Sequence, residues 1–120
     1  MSDDKNENRI DYVEFPAPSP AALQANKKFY SEVFGWCWKD WGETYSDTKD
    51  SGIGSGIASD PAHRPTAPLV VLYSTHLEAT KEKVVKAGGV ISKDIVSFPG
   101  GRRFHYVDPA GNQLAVWSDR

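Results

Sequence analysis

The sequence predicts an α+β chain built from two βαβββ modules in tandem. Three observations predict it: an internal repeat, one helix signature in each half, and short alternating strands between Gly- and Pro-rich turns. Shifting the chain by 54 residues aligns Leu23, Ala25 and Lys27 with Leu77, Ala79 and Lys81, and Gly35, Lys39 and Asp40 with Gly89, Lys93 and Asp94. These are six identities in eighteen ungapped positions, where chance gives about one.

The elements follow in order. Residues 1–8 carry three acids and one lysine and read as a disordered tail ahead of a single domain at 9–119. Module one spans 9–60, module two 68–119, and 61–67 link them. Ile10 to Phe15 predicts a strand. Ser19 offers an N-cap and Pro20 the first helical position. Leu23, Asn26, Phe29, Tyr30, Val33 and Phe34 then share an arc of about 140°, and Gly35 stops the helix. Trp36 to Lys39 alternates like a strand, and Gly-rich turns between Asp50 and Gly56 suggest two more, near 43–48 and 55–59. Pro61, Pro65 and Pro68 make the link semi-extended. In the second half Leu69 to Tyr73 predicts a strand, and Thr75-His76-Leu77-Glu78 reads as a capping box opening a helix that ends at Gly88-Gly89. Strands at 90–98, 102–107 and 113–117 complete the module, parted by turns at Pro99-Gly100-Gly101 and Asp108 to Asn112.

Composition narrows the function. The chain has 120 residues and a formal charge of −2. Without residues 1–8 it holds 13 basic and 13 acidic residues, so no basic footprint points to nucleic acid. The longest apolar stretch, Leu69 to Tyr73, is far below the roughly 20 residues of a membrane span. One cysteine, Cys37, allows no internal disulfide, and the polar N-terminus lacks a secretory pattern. A cytoplasmic protein is expected, with Cys37 buried or half-buried.

Several stretches together resemble a known family: Val13-Glu14-Phe15-Pro16-Ala17-Pro18, Lys28 to Trp36 with its Phe29-Tyr30 and Phe34-Gly35-Trp36, Phe98 to Tyr106, and Asp108-Pro109-Ala110-Gly111-Asn112-Gln113-Leu114. Over residues 9–118 the chain is similar to the vicinal oxygen chelate superfamily, the glyoxalase/bleomycin-resistance/dioxygenase fold. Its wording is closest to a bacterial subgroup of predicted enzymes related to lactoylglutathione lyase. The resemblance implies a cup-shaped mixed sheet, a homodimer, and in metal-dependent members a divalent ion held by His, Gln or Glu. Those ligand positions fall at Tyr12, near Gly56-Ile57-Ala58, at or next to Leu69, and at Ala115. Glycine, leucine and alanine offer no ligating atom, and hard divalent ions favour carboxylates over a phenol. No metal or other cofactor is therefore expected, and lactoylglutathione lyase chemistry by the family mechanism is disfavoured.

The expected ligand-binding residues are Tyr12, Glu14, Trp38, Arg103, His105, Gln113 and Trp117. Glu14 shares a strand face with Tyr12; it is an internal ion pair with Arg102 or Arg103, or else a ligand anchor or weak base. His105 shares a face with Arg103 and Val107, and is either a hydrogen-bonded strand histidine or a cavity donor or base. Gln113, Ala115 and Trp117 share one face, and Trp36 and Trp38 another; such aromatic faces suit a pocket, a core or a dimer interface. His63 and His76 are expected in solvent. Two functions result: a metal-free small-molecule binder, or a lyase or isomerase of this fold using Glu14 and His105 as catalytic residues, with Tyr12 or a non-standard metal.

Overall fold

The computed structural model describes residues 6–120; the remainder of the expected tail lies outside the described residues. Eight strands and two helices follow one another as β1 (Ile10–Pro16), α1 (Pro20–Phe34), β2 (Lys39–Asp40), β3 (Tyr45–Ser51), β4 (Ile53–Ala58), β5 (Leu69–Tyr73), α2 (Leu77–Lys86), β6 (Val90–Phe98), β7 (Gly101–Val107) and β8 (Gln113–Ser118). This is the βαβββ succession, twice. The chain forms two compact units, Tyr12–Leu69 and 6–11 together with Val70–Arg120.

In the first unit the strand order is β2-β3-β4-β1. β1 runs parallel to β4, and β4-β3 and β3-β2 are antiparallel. Helix α1 begins as its sequence dictates: Ser19 accepts the Ala22 N–H at 3.1 Å, and Pro20 stands in the first turn. It ends at Gly35, whose φ of 77° is the left-handed conformation a side chain would resist. Leu23 is fully buried and packs with Ala17 and Ile57; Phe15, Ala22 and Trp38 border this core. The rest of the predicted apolar arc is not covered. Phe29, Val33 and Phe34 are 53%, 55% and 60% exposed.

Two expectations change here. The second strand is only Lys39–Asp40, because Trp36 and Trp38 leave the strand direction to gather with Tyr30, at centroid distances of 5.0 and 6.4 Å. Cys37 is exposed, and its N–H goes to the Asp50 carboxylate at 2.8 Å rather than to a ladder. The segment after β4 is also tied down: the Arg64 guanidinium donates to the carbonyls of Pro18 at 2.9 Å, Ser59 at 3.2 Å and Ala17 at 3.4 Å. His63 is exposed and bonded to Asp60.

The second unit repeats the first. Its strand order is β5-β8-β7-β6, with β5 parallel to β8 and the other two pairs antiparallel. Leu77 takes the place of Leu23 and packs with Phe104 and Val116. The repeat extends to the surface: Lys27 pairs with Asp40 and Lys81 with Asp94, so two of the repeated identities make one ion pair per unit. The expected capping box does not form. His76 is the N-cap without a side-chain bond, and Glu78 faces Arg102 instead. Residues 6–8, assigned to the tail from sequence, run along β5: Glu7 bridges Tyr73, and the Asn8 N–H donates to the Tyr73 carbonyl at 2.8 Å. Among the described residues no helix is long and apolar enough to cross a membrane.

Candidate functional site

Each sheet has one face under its helix and one face free of it, and alternation decides which side chains go where. In the first unit Phe15 and Ile57 belong to the α1 core. Tyr12, Glu14, Gly54, Gly56, Tyr45 and Asp47 therefore fall on the helix-free face, with Glu14 opposite Gly56 and Gly56 opposite Asp47. The hydroxyls of Tyr12 and Tyr45 bond each other, and a Cβ added at Gly56 would collide with both. The phenol pair thus fills the room that the missing side chain leaves. Burial, with Tyr45 beside it, pushes the Tyr12 phenol far above its ordinary value. Glu14 is buried, and Asp47 accepts from the Trp41 indole at 3.0 Å. Trp38 is not here. It lies on the helix side, packed against the α1 core, with its indole N–H buried and without a hydrogen-bond partner among the described residues.

The second unit brings four expected residues onto one helix-free face. β7 and β8 set Arg103 opposite Trp117, His105 opposite Ala115 and Val107 opposite Gln113. Phe104, Tyr106 and Val116 take the α2 side. Arg102 also turns to that side, donating to Glu78 and, at 2.9 Å, to the Arg120 carbonyl. Trp117 is anchored through its indole N–H to Asp11 at 2.9 Å, and its ring meets Tyr73 at 5.1 Å and Phe98 at 6.2 Å.

His105 is the chemical centre of this face. Its residue is 6% exposed, and its Nε2 is buried with no hydrogen-bond partner among the described residues. Burial, with Arg103 and Lys93 nearby, lowers its pKa to about 4, so the imidazole is neutral near pH 7. Lys93 stands directly opposite His105. Plain alternation would put Lys93 with Ile91 and Ile95 under α2, but the register shifts on both sides of it and turns it to the other face. Sequence reasoning missed Lys93 for that reason. The available signal was its place in the 54-residue repeat, since Lys39 holds the matching position opposite Asp47. A depression of about 230 Å³ beside α2 is lined by Leu72, Val84, Tyr106 and Val116 among others, and the hydroxyls of Ser74 and Thr80 at its edge bond each other at 2.8 Å.

The resemblance put the family's ligand positions at Tyr12, near Gly56-Ile57-Ala58, at or next to Leu69, and at Ala115. Tyr12 is engaged with Tyr45, Gly56 has no side chain, and Leu69 and Ala115 are buried and apolar. Among the described residues no three His, Cys, Asp or Glu side chains gather as a metal group.

Solved structures share the fold at low identity. An NAD-dependent benzaldehyde dehydrogenase from Legionella pneumophila is 13% identical with a TM-score of 0.73, over 89% of this chain and 96% of its own. A methylmalonyl-CoA epimerase from Mycobacterium tuberculosis is 11% identical with a TM-score of 0.65, over 98% and 92%. A Mn(II)-bound glyoxalase from Novosphingobium aromaticivorans is 21% identical with a TM-score of 0.65; the match covers 94% of this chain but 39% of that one. No curated protein matches. The family model of the glyoxalase/bleomycin resistance protein/dioxygenase superfamily matches residues 9–116, and the chain belongs to that superfamily.

Proposed function

We propose that the chain is a small-molecule-binding protein that holds its ligand, without a metal ion, on the helix-free face around His105. The observation that carries this reading is the buried, unpartnered Nε2 of His105. Leaving a buried polar atom unbonded costs about 1–3 kcal/mol, so a ligand that completes the bond has a gain waiting for it. Trp117 and Phe98 supply apolar surface nearby, and a few polar groups beside aromatic surface are what small-molecule sites use.

A lyase or isomerase remains the second reading, because the neutral imidazole of His105 is free to accept a proton. Its chemistry is less well supported. A general base works best with a pKa near the working pH, whereas His105 lies near 4 and Tyr12 is pushed well above the neutral range. The reading includes a cytoplasmic homodimer, supported by the exposed apolar side chains of α1 and the single cysteine; a monomer in sedimentation velocity would remove the dimer from it.

Chelator-treated protein, screened by thermal shift against small oxoacids, amides and aromatic compounds, should show a ligand that raises Tm by about 5 °C at saturating concentration. The shift should vanish in His105→Phe. A protein that responds to no compound, or only after a divalent ion is added, would overturn the reading.

A further inference from the structure

The charge around His105 narrows the ligand class. Lys93 is half-buried, stands across the ladder from His105, and forms no ion pair among the described residues. Arg103 lies two residues away on the same face. Burial first, and then both cations, disfavour protonation of the ring, so the imidazole offers at most one N–H, and its buried Nε2 has no hydrogen-bond partner among the described residues. A cationic ligand would meet the like charge of Lys93 there. A neutral ligand could use Nε2 but would leave Lys93 without a counter-charge. An anionic oxygen satisfies both, since charge-assisted hydrogen bonds are the stronger kind.

Shape limits the ligand further. Ala115 and Val71 lie in the same rung as His105, and both are short and buried. Along the face the Trp117 ring is half-buried, Phe98 lies 6.2 Å from it, and the Arg103 guanidinium sits 6.0 Å from the Phe98 ring. Lys93 thus stands beside His105, and Trp117 and Phe98 give flat aromatic surface farther along the face.

We infer that this face binds a small carboxylate with a flat apolar portion, its oxygens meeting Nε2–H of His105 and the Lys93 ammonium, its apolar part lying on Trp117 and Phe98. The inference rests on the small-molecule reading above and adds the class of ligand. It assigns Lys93 and His105 as binding residues and requires the Nε2–H tautomer.

Benzoate and benzamide, equal in shape and different in charge, are the probes. Titrated into the full chain at pH 7 and followed by imidazole ¹⁵N resonances, benzoate should move the His105 Nε2 signal, and benzamide should bind at least about tenfold more weakly. Lys93→Met, a change at a half-buried strand position, should weaken benzoate about tenfold while leaving the unliganded spectrum of the other histidines in place. Benzamide binding as well as benzoate, or benzoate binding unaffected by Lys93→Met, overturns the carboxylate assignment and leaves a small-molecule site standing. Silence toward both probes overturns the carboxylate assignment; silence toward the whole thermal-shift library as well overturns the small-molecule reading with it.

Discussion

The two units share a backbone plan and differ in what their helix-free faces leave unfinished. Matching rungs cross the four strands of each: Glu14, Gly56, Asp47 and Lys39 in the first, and Val71, Ala115, His105 and Lys93 in the second. The first rung is largely self-satisfied. Tyr12 and Tyr45 close over Gly56, and Asp47 holds Trp41. Among the described residues the second keeps a buried imidazole nitrogen without a bond, and its Lys93 has no ion pair, whereas Lys39 of the first rests over the Trp41 ring. Repeated features such as Leu23 and Leu77, or the Lys–Asp pairs, therefore report on the frame, and the departures from the repeat report on binding.

That comparison can be broken at its strongest point first. Leu23→Ala and Leu77→Ala each remove a fully buried helix anchor, and each should cost about 2–5 kcal/mol in urea unfolding. Near-zero cost at one site would show that the anchors are not equivalent. Next, Gly56→Ala forces a methyl group against two phenol hydroxyls and should cost about 1–3 kcal/mol. Part of that cost should disappear in a Tyr45→Phe background; equal costs in the two backgrounds would mean that the phenol pair does not set the space. No comparable penalty is expected for Ala115→Gly beyond a small loss of packing.

The smallest effect sharpens the contrast through pH. The folded pKa of His105, about 4, lies below its ordinary value of 6.5. The unfolded chain thus takes up this proton first, and the stability that the neutral ring provides is complete above about pH 6.5 and lost as pH falls toward about 4. Unfolding midpoints measured across that window should flatten in His105→Phe. Tyr12→Phe should leave the slope unchanged, because the Tyr12 phenol stays protonated throughout.

Most of the frame was legible because it is local. Ser19-Pro20, Gly35 and the turn at Asp108 to Asn112 act through neighbouring residues, and the repeat located the second helix by the first. The face of His105 needed the β7–β8 register, which no run of residues states. Lys93 was hidden by two register shifts, and the strand read at Trp36 to Lys39 shortened because ring packing of Trp38 with Tyr30 outweighed strand alternation. Glu78 was read as a capping residue, whereas an arginine from β7 claims it. In each case a partner distant in sequence outcompeted the local rule.

Gly56 has a consequence for how this protein can change. The space beneath it is owned jointly by three residues, since a side chain at 56 and the two hydroxyls of Tyr12 and Tyr45 cannot coexist. A carboxylate introduced at 56 would first be an overpacking lesion and only afterwards a new chemical group. Routes from the present face to a ligating one are therefore epistatic: Tyr12 and Tyr45 must shrink or turn away before position 56 can grow. Single-substitution scans will score every such path as a dead end, and only combinations at 12, 45 and 56 can show what the first unit's face is able to become.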